Sequence, residues 1–547
     1  MSQTTGGAAK CTISPGGVSV SGLCQQAASL HINVEYRSIL PVLALTIGGL
    51  ALLALSAVLP KRSRRWLYPV LTVVVGAVTL GLSIWQWYNV PPAKQGIDIG
   101  GQVFFDHFSV LFSMLIAVAV ILSAIASASY LQRERLDGVE AYVLMLMSAT
   151  GAVLMAEAAT LIMLFLGLEI MSIALYVMAA YHRRRTQSGE AGLKYFLLGS
   201  FSSALFLYGI ALVYGATGSV SLAIIRDYLS LNILANPGIL LAGLALLIVG
   251  LGFKVGAVPF HFWTPDVYQG SPTPFTGYMA AVAKAAGFAG LLRITVGAFT
   301  YQQTDWRPII WIISVLSMVV GSVLAIASKD LKRMLAYSSI SQAGYVLVGV
   351  QAGTATGTSA ALFYLFTYTF IVIGSFAVVD VVQGVGEGRP GIGAIRGLSR
   401  RHPGLAAAML VLLLAQAGVP FTSGFIGKFY VIQASVQQGQ YYLAVIAMVA
   451  AAAAAFFYLR LALLMYSAPG DGSVEGDLGV FSAGLEPVAS LDGGRATAVA
   501  VLEAPPTEAV YVPASITLVL LITVGFTVVA GLTPFTIDFA KAATTLL

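Results

Sequence analysis

The feature that most limits what this chain can become is the recurrence, from residue 38 to residue 535, of apolar runs about 20 residues long. Each run is long enough to carry an α-helix across a ~30 Å hydrocarbon core. Inside that core the backbone must satisfy its own hydrogen bonds, which leaves only helices or closed barrels. A barrel strand would alternate apolar and polar residues over about ten positions, whereas these runs are continuously apolar. The chain therefore reads as an all-α polytopic membrane protein. About fourteen transmembrane helices are expected, at 38–59, 67–89, 103–130, 141–157, 159–181, 191–216, 236–259, 273–300, 308–328, 334–351, 358–382, 403–427, 440–467 and 512–535. Composition agrees: 10% of the 547 residues are charged, against ~25% in a soluble domain, and mean hydropathy is +0.87.

A net charge of +6 could point to nucleic acid, but the basic residues form no face. They gather in alternate loops: Lys61, Arg62, Arg64 and Arg65; Arg133 and Arg135; Arg183, Arg184 and Arg185; Lys329, Lys332 and Arg333; Arg389, Arg396, Arg400 and Arg401. The other loops hold little beyond Lys94, Arg226 and Arg307. By the positive-inside rule the basic loops are cytoplasmic and both termini lie outside. One missed helix would break that phase. Residues 1–36 read as an external tail and the Gly-, Ala-, Pro- and acid-rich 468–511 as a flexible cytoplasmic linker. Cys11 and Cys24, the only cysteines, fall in the tail, and both a disulfide and two free thiols remain open. The start MSQTTGGAAK lacks the basic-then-apolar order of a secretory signal.

The stretch GLGFKVGAVPFHFWTPDVYQGSPTPFTGYMAAVAKAAGFAGLLRI carries one lysine in each of two apolar segments, Lys254 and Lys284. Between them lies a Pro-broken passage with His261, Trp263 and Asp266. A charged side chain at a helix centre costs roughly 2.5–3.5 kcal/mol to insert, so such residues are expected to be functional. There is also an internal echo. Ala257-Val258-Pro259-Phe260 in span 7 recurs 161 residues on as Gly418-Val419-Pro420-Phe421 in span 12, with Lys254 and Lys428 in or beside the breaks. Ser172 and Tyr176 in span 5 recur 169 residues on as Ser341 and Tyr345 in span 10. Interrupted helices at matching positions mark transporters built from repeats. An offset of five helices makes the two copies inverted.

Other bases in or beside spans are Lys194, Arg293 and Arg460, and the acids are Asp106, Glu157, Glu169, Glu190, Asp266 and Asp380. Glu169 sits near the middle of span 5. A Glu169–lysine pair that forms and breaks would switch a buried amine between charged and neutral forms, and His261 is the group suited to titrate near neutral pH. Against this stand plainer readings: a static buried pair for Glu169, a stabilising i, i+4 pair between Glu190 and Lys194, and a snorkelling Lys428. Arg293 and Arg460 read as anchors, and Trp263, Tyr268 and the prolines of WTPDVYQGSPTP as shaping a loop.

Five stretches, GLEIMSIALYVMAAY, EAGLKYFLLGSFSSALFLYGIALVYGATG, GFKVGAVPFHFWTPDVYQGSPTP, DLKRMLAYSSISQAGY and GVPFTSGFIGKFY, resemble the antiporter-like membrane subunits of respiratory complex I, the subunit N branch above all. The resemblance covers roughly 100–467. It implies two inverted five-helix repeats, spans 4–8 and 9–13, with spans 7 and 12 broken. The chain then divides into the tail 1–36, three first helices 37–140, repeat one 141–300, repeat two 301–467, the linker 468–511 and a last helix with the C-terminus 512–547. The family's helix-5 glutamate matches Glu169, its helix-6 lysine Lys194, and the lysine and histidine of GFKxxxVPFH match Lys254 and His261. The lysine of the next helix matches Lys284 and that of the second broken helix Lys428. Lysine at 428 suits subunit N better than subunit M, where a glutamate is expected, and the long lateral helix of subunit L is not expected here.

The implied function is one proton channel of an NADH–quinone oxidoreductase in a bacterial plasma membrane, beside subunit M and small subunits such as K and J. NADH, FMN, iron–sulfur clusters and quinone are expected in partner subunits, with no cofactor or metal in this chain. The alternatives are a subunit of a multi-subunit sodium/proton antiporter, of a membrane hydrogenase or of a ferredoxin-dependent photosynthetic complex I. From another class, a non-transporting scaffold would leave neutralisation of the lysines silent.

Overall fold

The computed structural model describes residues 36–58, 64–90, 96–98, 100–232, 237–384, 391–467, 511–533 and 535–544. Cys11, Cys24 and nearly all of the 468–511 segment lie outside them. The first half of the chain forms α1 (Leu40–Val58), α2 (Arg64–Asn89), α3 (His107–Arg133), α4 (Glu140–Glu157), α5 (Leu161–Ala179), α6 (Thr186–Thr217), α7 (Leu222–Leu231), α8 (Gly238–Val255), α9 (Trp263–Gly270) and α10 (Thr273–Leu292). The second half forms α11 (Gln303–Ala327), α12 (Leu331–Gln351), α13 (Ala355–Gln383), α14 (Pro403–Ala417), α15 (Ser423–Gln437), α16 (Tyr441–Tyr466), α17 (Ala514–Leu532) and α18 (Phe535–Thr544).

Among the described residues, twelve helices are long and apolar enough to cross a membrane. They match twelve of the fourteen expected spans. The other two are α12, whose YSSISQ stretch makes it too polar, and the pair α14 and α15, each of 15 residues. Span 12, expected to end at 427, therefore runs on to Gln437. The WTPDVYQG passage, expected as a loop, is helix α9. A two-stranded antiparallel hairpin, Gly96–Asp98 against Val103–Phe105, and the short helices α7 and α18 had no counterpart in the sequence reading.

The helices α10 and α13 form the enclosed centre, 94% buried over their apolar windows, whereas α1 is 22% and α2 and α17 are 33% buried and lie at the rim. Lipid is as apolar as leucine, so helices gain little by hiding leucines from it. Close approach of backbones at small residues does the packing instead. At the crossing of α4 and α5, a Cβ on Gly151 would stand 2.3 Å from the Met171 nitrogen and 2.6 Å from the Gly167 oxygen. At the crossing of α11 and α12, a Cβ on Gly321 would stand 2.6 Å from the Ser341 nitrogen and 2.9 Å from the Tyr337 oxygen. Each residue of the second crossing lies 170 positions after its counterpart. The same crossing is thus built twice, one residue out of step with the 169 read from the Ser–Tyr pairs.

Because the obstructing atoms at Gly151 are backbone, no rotamer change can relieve an added methyl. Gly151→Ala should lower the thermal unfolding midpoint of the detergent-purified chain by several degrees. Gly215→Ala, where nothing lies within 4 Å of the added Cβ, should leave it unchanged or raise it slightly.

Candidate functional site

Two helices stop inside the bundle, and they stop the same way. At the end of α8, Gly256 takes φ +72°, and the Ala257 amide donates back to the Gly252 carbonyl at 2.9 Å. At the end of α14, Gly418 takes φ +87°, and the Val419 amide donates back to Leu414 at 3.0 Å. Glycine enters this left-handed region without a Cβ clash and closes the last turn. Pro259 and Pro420 then prevent the helices from continuing. Carbonyls of the last turn are left without helical partners, buried inside the bundle where each needs another donor.

Lysines take up that role. Lys284, from α10, donates to the Val255 carbonyl at 2.9 Å and to the Ser339 carbonyl of α12 at 2.6 Å. Lys428, from α15, donates to the carbonyls of Gln416 at 2.7 Å and Ala417 at 2.9 Å. A cation at a helix C-terminus also complements the negative end of the helix dipole. Lys254, in the last turn of α8, donates to the Ser172 hydroxyl at 2.7 Å and the Tyr195 hydroxyl at 3.4 Å. Its ammonium faces the rings of Tyr176 and Tyr195 at 5.6 and 5.2 Å, and Lys428 faces Tyr345 at 4.7 Å. The three lysines are 2%, 3% and 5% exposed in chain order. Among the described residues none of them has a carboxylate within ion-pair distance.

Between Lys284 and Lys428 the polar line continues through groups the sequence reading had not singled out. The Tyr368 hydroxyl donates to Ser339 Oγ at 2.9 Å, and Ser338 donates to Gln416 Oε1 at 3.1 Å. Gln342 Nε2 donates to the Gln416 carbonyl at 3.0 Å and the Tyr458 hydroxyl at 2.9 Å, while Tyr364 donates to Gln342 Oε1. Gln416 Nε2 donates to Ser375 at 2.9 Å. An axis of buried polar groups therefore runs from Ser172 to Lys428. The signal for it was present in the serines and glutamine of YSSISQAGY, an unusual density of polar residues for a span.

The remaining candidates fall differently. Glu169 lies one turn before Ser172, but the expected ion pair with Lys254 does not form. Ser172 occupies the lysine, and Glu169 Oε1 is buried without a hydrogen-bond partner. His261 is buried after the break in span 7 and stacks on Phe262 at 4.8 Å, with Nδ1 unpartnered. Lys194 is not in the axis. Its side chain is 42% exposed and pairs with Glu190 at 2.7 Å and Asp266 at 2.8 Å, and Asp266 pairs in turn with Arg333 at 3.0 Å. Lys332, read as a loop base, is 1% exposed in the first turn of α12 and donates to the Ser271 carbonyl at 2.5 Å.

Arg293 is an anchor, and a strong one. Its guanidinium meets Asp106 through two bonds of 2.6 and 2.8 Å, donates twice to the Ala156 carbonyl at 3.1 and 3.0 Å, and packs on the rings of Phe104 and Phe108. Asp106 also caps α3 by accepting from the Ser109 amide at 2.8 Å. The buried Asp106 carboxylate is thus satisfied by the Arg293 guanidinium and the Ser109 amide together. Removing one member of such a buried pair strands the other. Arg293→Leu should cost roughly 3–5 kcal/mol of stability. Arg293→Leu with Asp106→Leu should recover much of it, measured as thermal midpoints of the two purified variants.

A helical membrane bundle with two spans broken around buried lysines defines an antiporter-like membrane protein. Comparison with known proteins agrees: residues 158–453 match the family described as NADH:quinone oxidoreductase/Mrp antiporter, transmembrane. NADH-quinone oxidoreductase subunit N of Trichlorobacter lovleyi is 42% identical over 445 residues, which is 81% of this chain and 90% of that one. Subunit N of a Parafrankia species is 42% identical over 79% of this chain and 86% of that one. A chain of respiratory complex I from Thermus thermophilus with bound Aureothin superposes with TM-score 0.72 at 31% identity, covering 92% of this chain and all of that one. The Mrp complex of a Dietzia species contributes a chain of the same fold, TM-score 0.76 at 20% identity, covering 93% of this chain and 97% of that one. The chain belongs to the NADH-quinone oxidoreductase subunit N family.

Proposed function

We propose that this chain conducts protons as a membrane-arm subunit of a proton-translocating NADH–quinone oxidoreductase, along a path from Glu169 through Ser172, Lys254, Lys284 and the Gln416 cluster to Lys428. One observation carries this reading: three buried lysines whose partners are hydroxyls and carbonyls rather than carboxylates. A carbonyl or hydroxyl accepts a hydrogen bond from a neutral amine as well as from an ammonium. Each lysine can thus release its proton without stranding a buried anion, the outcome that makes breaking an ion pair costly. Like charges along one buried line also disfavour simultaneous ionisation, so loading one lysine promotes release from the next. Glu169 supplies the variable charge at one end. Lys194 and His261 lie beside the line, Lys194 in the ion-pair network with Asp266.

Electron transfer belongs to partner subunits that carry the flavin, iron–sulfur clusters and quinone site, with antiporter-like subunit M and small subunits such as K and J as neighbours. The positive-inside pattern supports a multi-pass place in a bacterial plasma membrane, basic loops in the cytoplasm and termini outside. Lys254→Ala, in an assembled complex in sealed vesicles, should lower both proton pumping and coupled NADH turnover severalfold. Wild-type values for both would make the lysine structural. Sodium-dependent transport without NADH oxidation would favour the antiporter reading.

A further inference from the structure

A cavity of about 590 Å³ opens where α1, α2, α4 and α5 end on the face that carries the arginine-rich loops. It lies outside the lysine axis, and its lining is divided by chemistry. Arg135, Arg183 and Arg184 stand at its polar end together with Asp137 and Glu140. Among the described residues, none of the three arginine side chains has a hydrogen-bond or ion-pair partner. Tyr68, from α2, lines the same cavity. It is only 3% exposed, and its hydroxyl has no partner. A buried hydroxyl without a partner forgoes a hydrogen bond that an occupant could supply.

The apolar wall is formed by Leu144 and Val177. From Val177 it continues along α5 as an exposed stripe of Ile173, Ile170 and Leu166, at helical spacing and away from the protein core. A ligand that fills this site must therefore carry an acidic head and long apolar chains. Three arginines against two carboxylates leave one positive charge, which one phosphodiester balances.

We propose that this cavity binds an anionic phospholipid, its phosphate held by Arg135, Arg183, Arg184 and the Tyr68 hydroxyl and its acyl chains lying along the α5 stripe. Guanidinium groups suit phosphate through paired N–H donors, and basic clusters at the ends of membrane helices attract anionic lipid. The occupied site ties the α1–α2 hairpin, at the rim of the bundle, to α4 and α5.

The test is a lipid titration of the full-length, detergent-purified chain, with bound lipid counted by native mass spectrometry. Phosphatidylglycerol, phosphatidylethanolamine and chain-free glycerol phosphate are the probes. Tyr68→Phe keeps the ring and removes only the hydroxyl, and Arg183→Ala/Arg184→Ala removes two phosphate donors. Arg400→Ala, on another basic loop, is the control. Phosphatidylglycerol should bind wild type more tightly than either other probe, about tenfold more weakly to the double variant, severalfold more weakly to folded Tyr68→Phe, and unchanged to Arg400→Ala. Unchanged binding to the double variant, equal loss in Arg400→Ala, equal affinity for phosphatidylethanolamine, or equal affinity for glycerol phosphate would each overturn the proposal.

Discussion

A helix that ends inside a bilayer exposes carbonyl groups to a medium that cannot hydrogen-bond them, and this constraint shapes the centre of the protein. At both breaks a left-handed glycine closes the last turn, and a lysine from another helix or from beyond the break reaches the carbonyls that remain. Fold and site are therefore not separable here. The amines that complete the two helix ends, Lys284 and Lys428, are also the groups proposed to carry charge through the interior. A helix drawn straight through Gly256 or Gly418 would need neither lysine and would leave no polar path.

The rest of the molecule holds those ends in place. Backbone contact at Gly151 and again at Gly321 fixes two helix pairs at distances that a single methyl group would open. At the opposite end of α10 from the basic loops, Arg293 ties the central helix to Asp106 and the Ala156 carbonyl. The helix that presents Lys284 is thereby clamped, and Lys284 itself reaches from the end of α8 to Ser339 of α12. A lysine so placed joins the two halves of the axis through two carbonyls.

Much of this was legible in the sequence because membranes impose coarse rules. Span length gave the helices, Gly-Val-Pro-Phe and its echo gave the breaks, and the rarity of intramembrane charge singled out Lys254, Lys284 and Lys428. What the sequence did not carry was direction. Helix α6 is apolar around most of its circumference, so nothing in its pattern tells which way Lys194 points, and it points outward to Asp266. Lys332 lies among loop bases yet turns inward on the first turn of α12. The pairing of Glu169 with a lysine was a sound guess from charge alone, but Ser172, one turn away, is nearer and takes the bond. Serine, glutamine and tyrosine are common enough in spans that the cluster around Gln416 emerges only when four helices bring its members together.

Lys284 is where the two roles proposed for the buried axis, conductor and scaffold, can be separated. Lys284→Met keeps most of the length and apolar packing of the side chain while removing the transferable proton. The measurement is the number of protons moved per NADH oxidised in sealed vesicles whose content of assembled complex matches wild type. A lower ratio is expected in the assembled variant. A wild-type ratio would contradict it and leave the lysine as a helix cap alone.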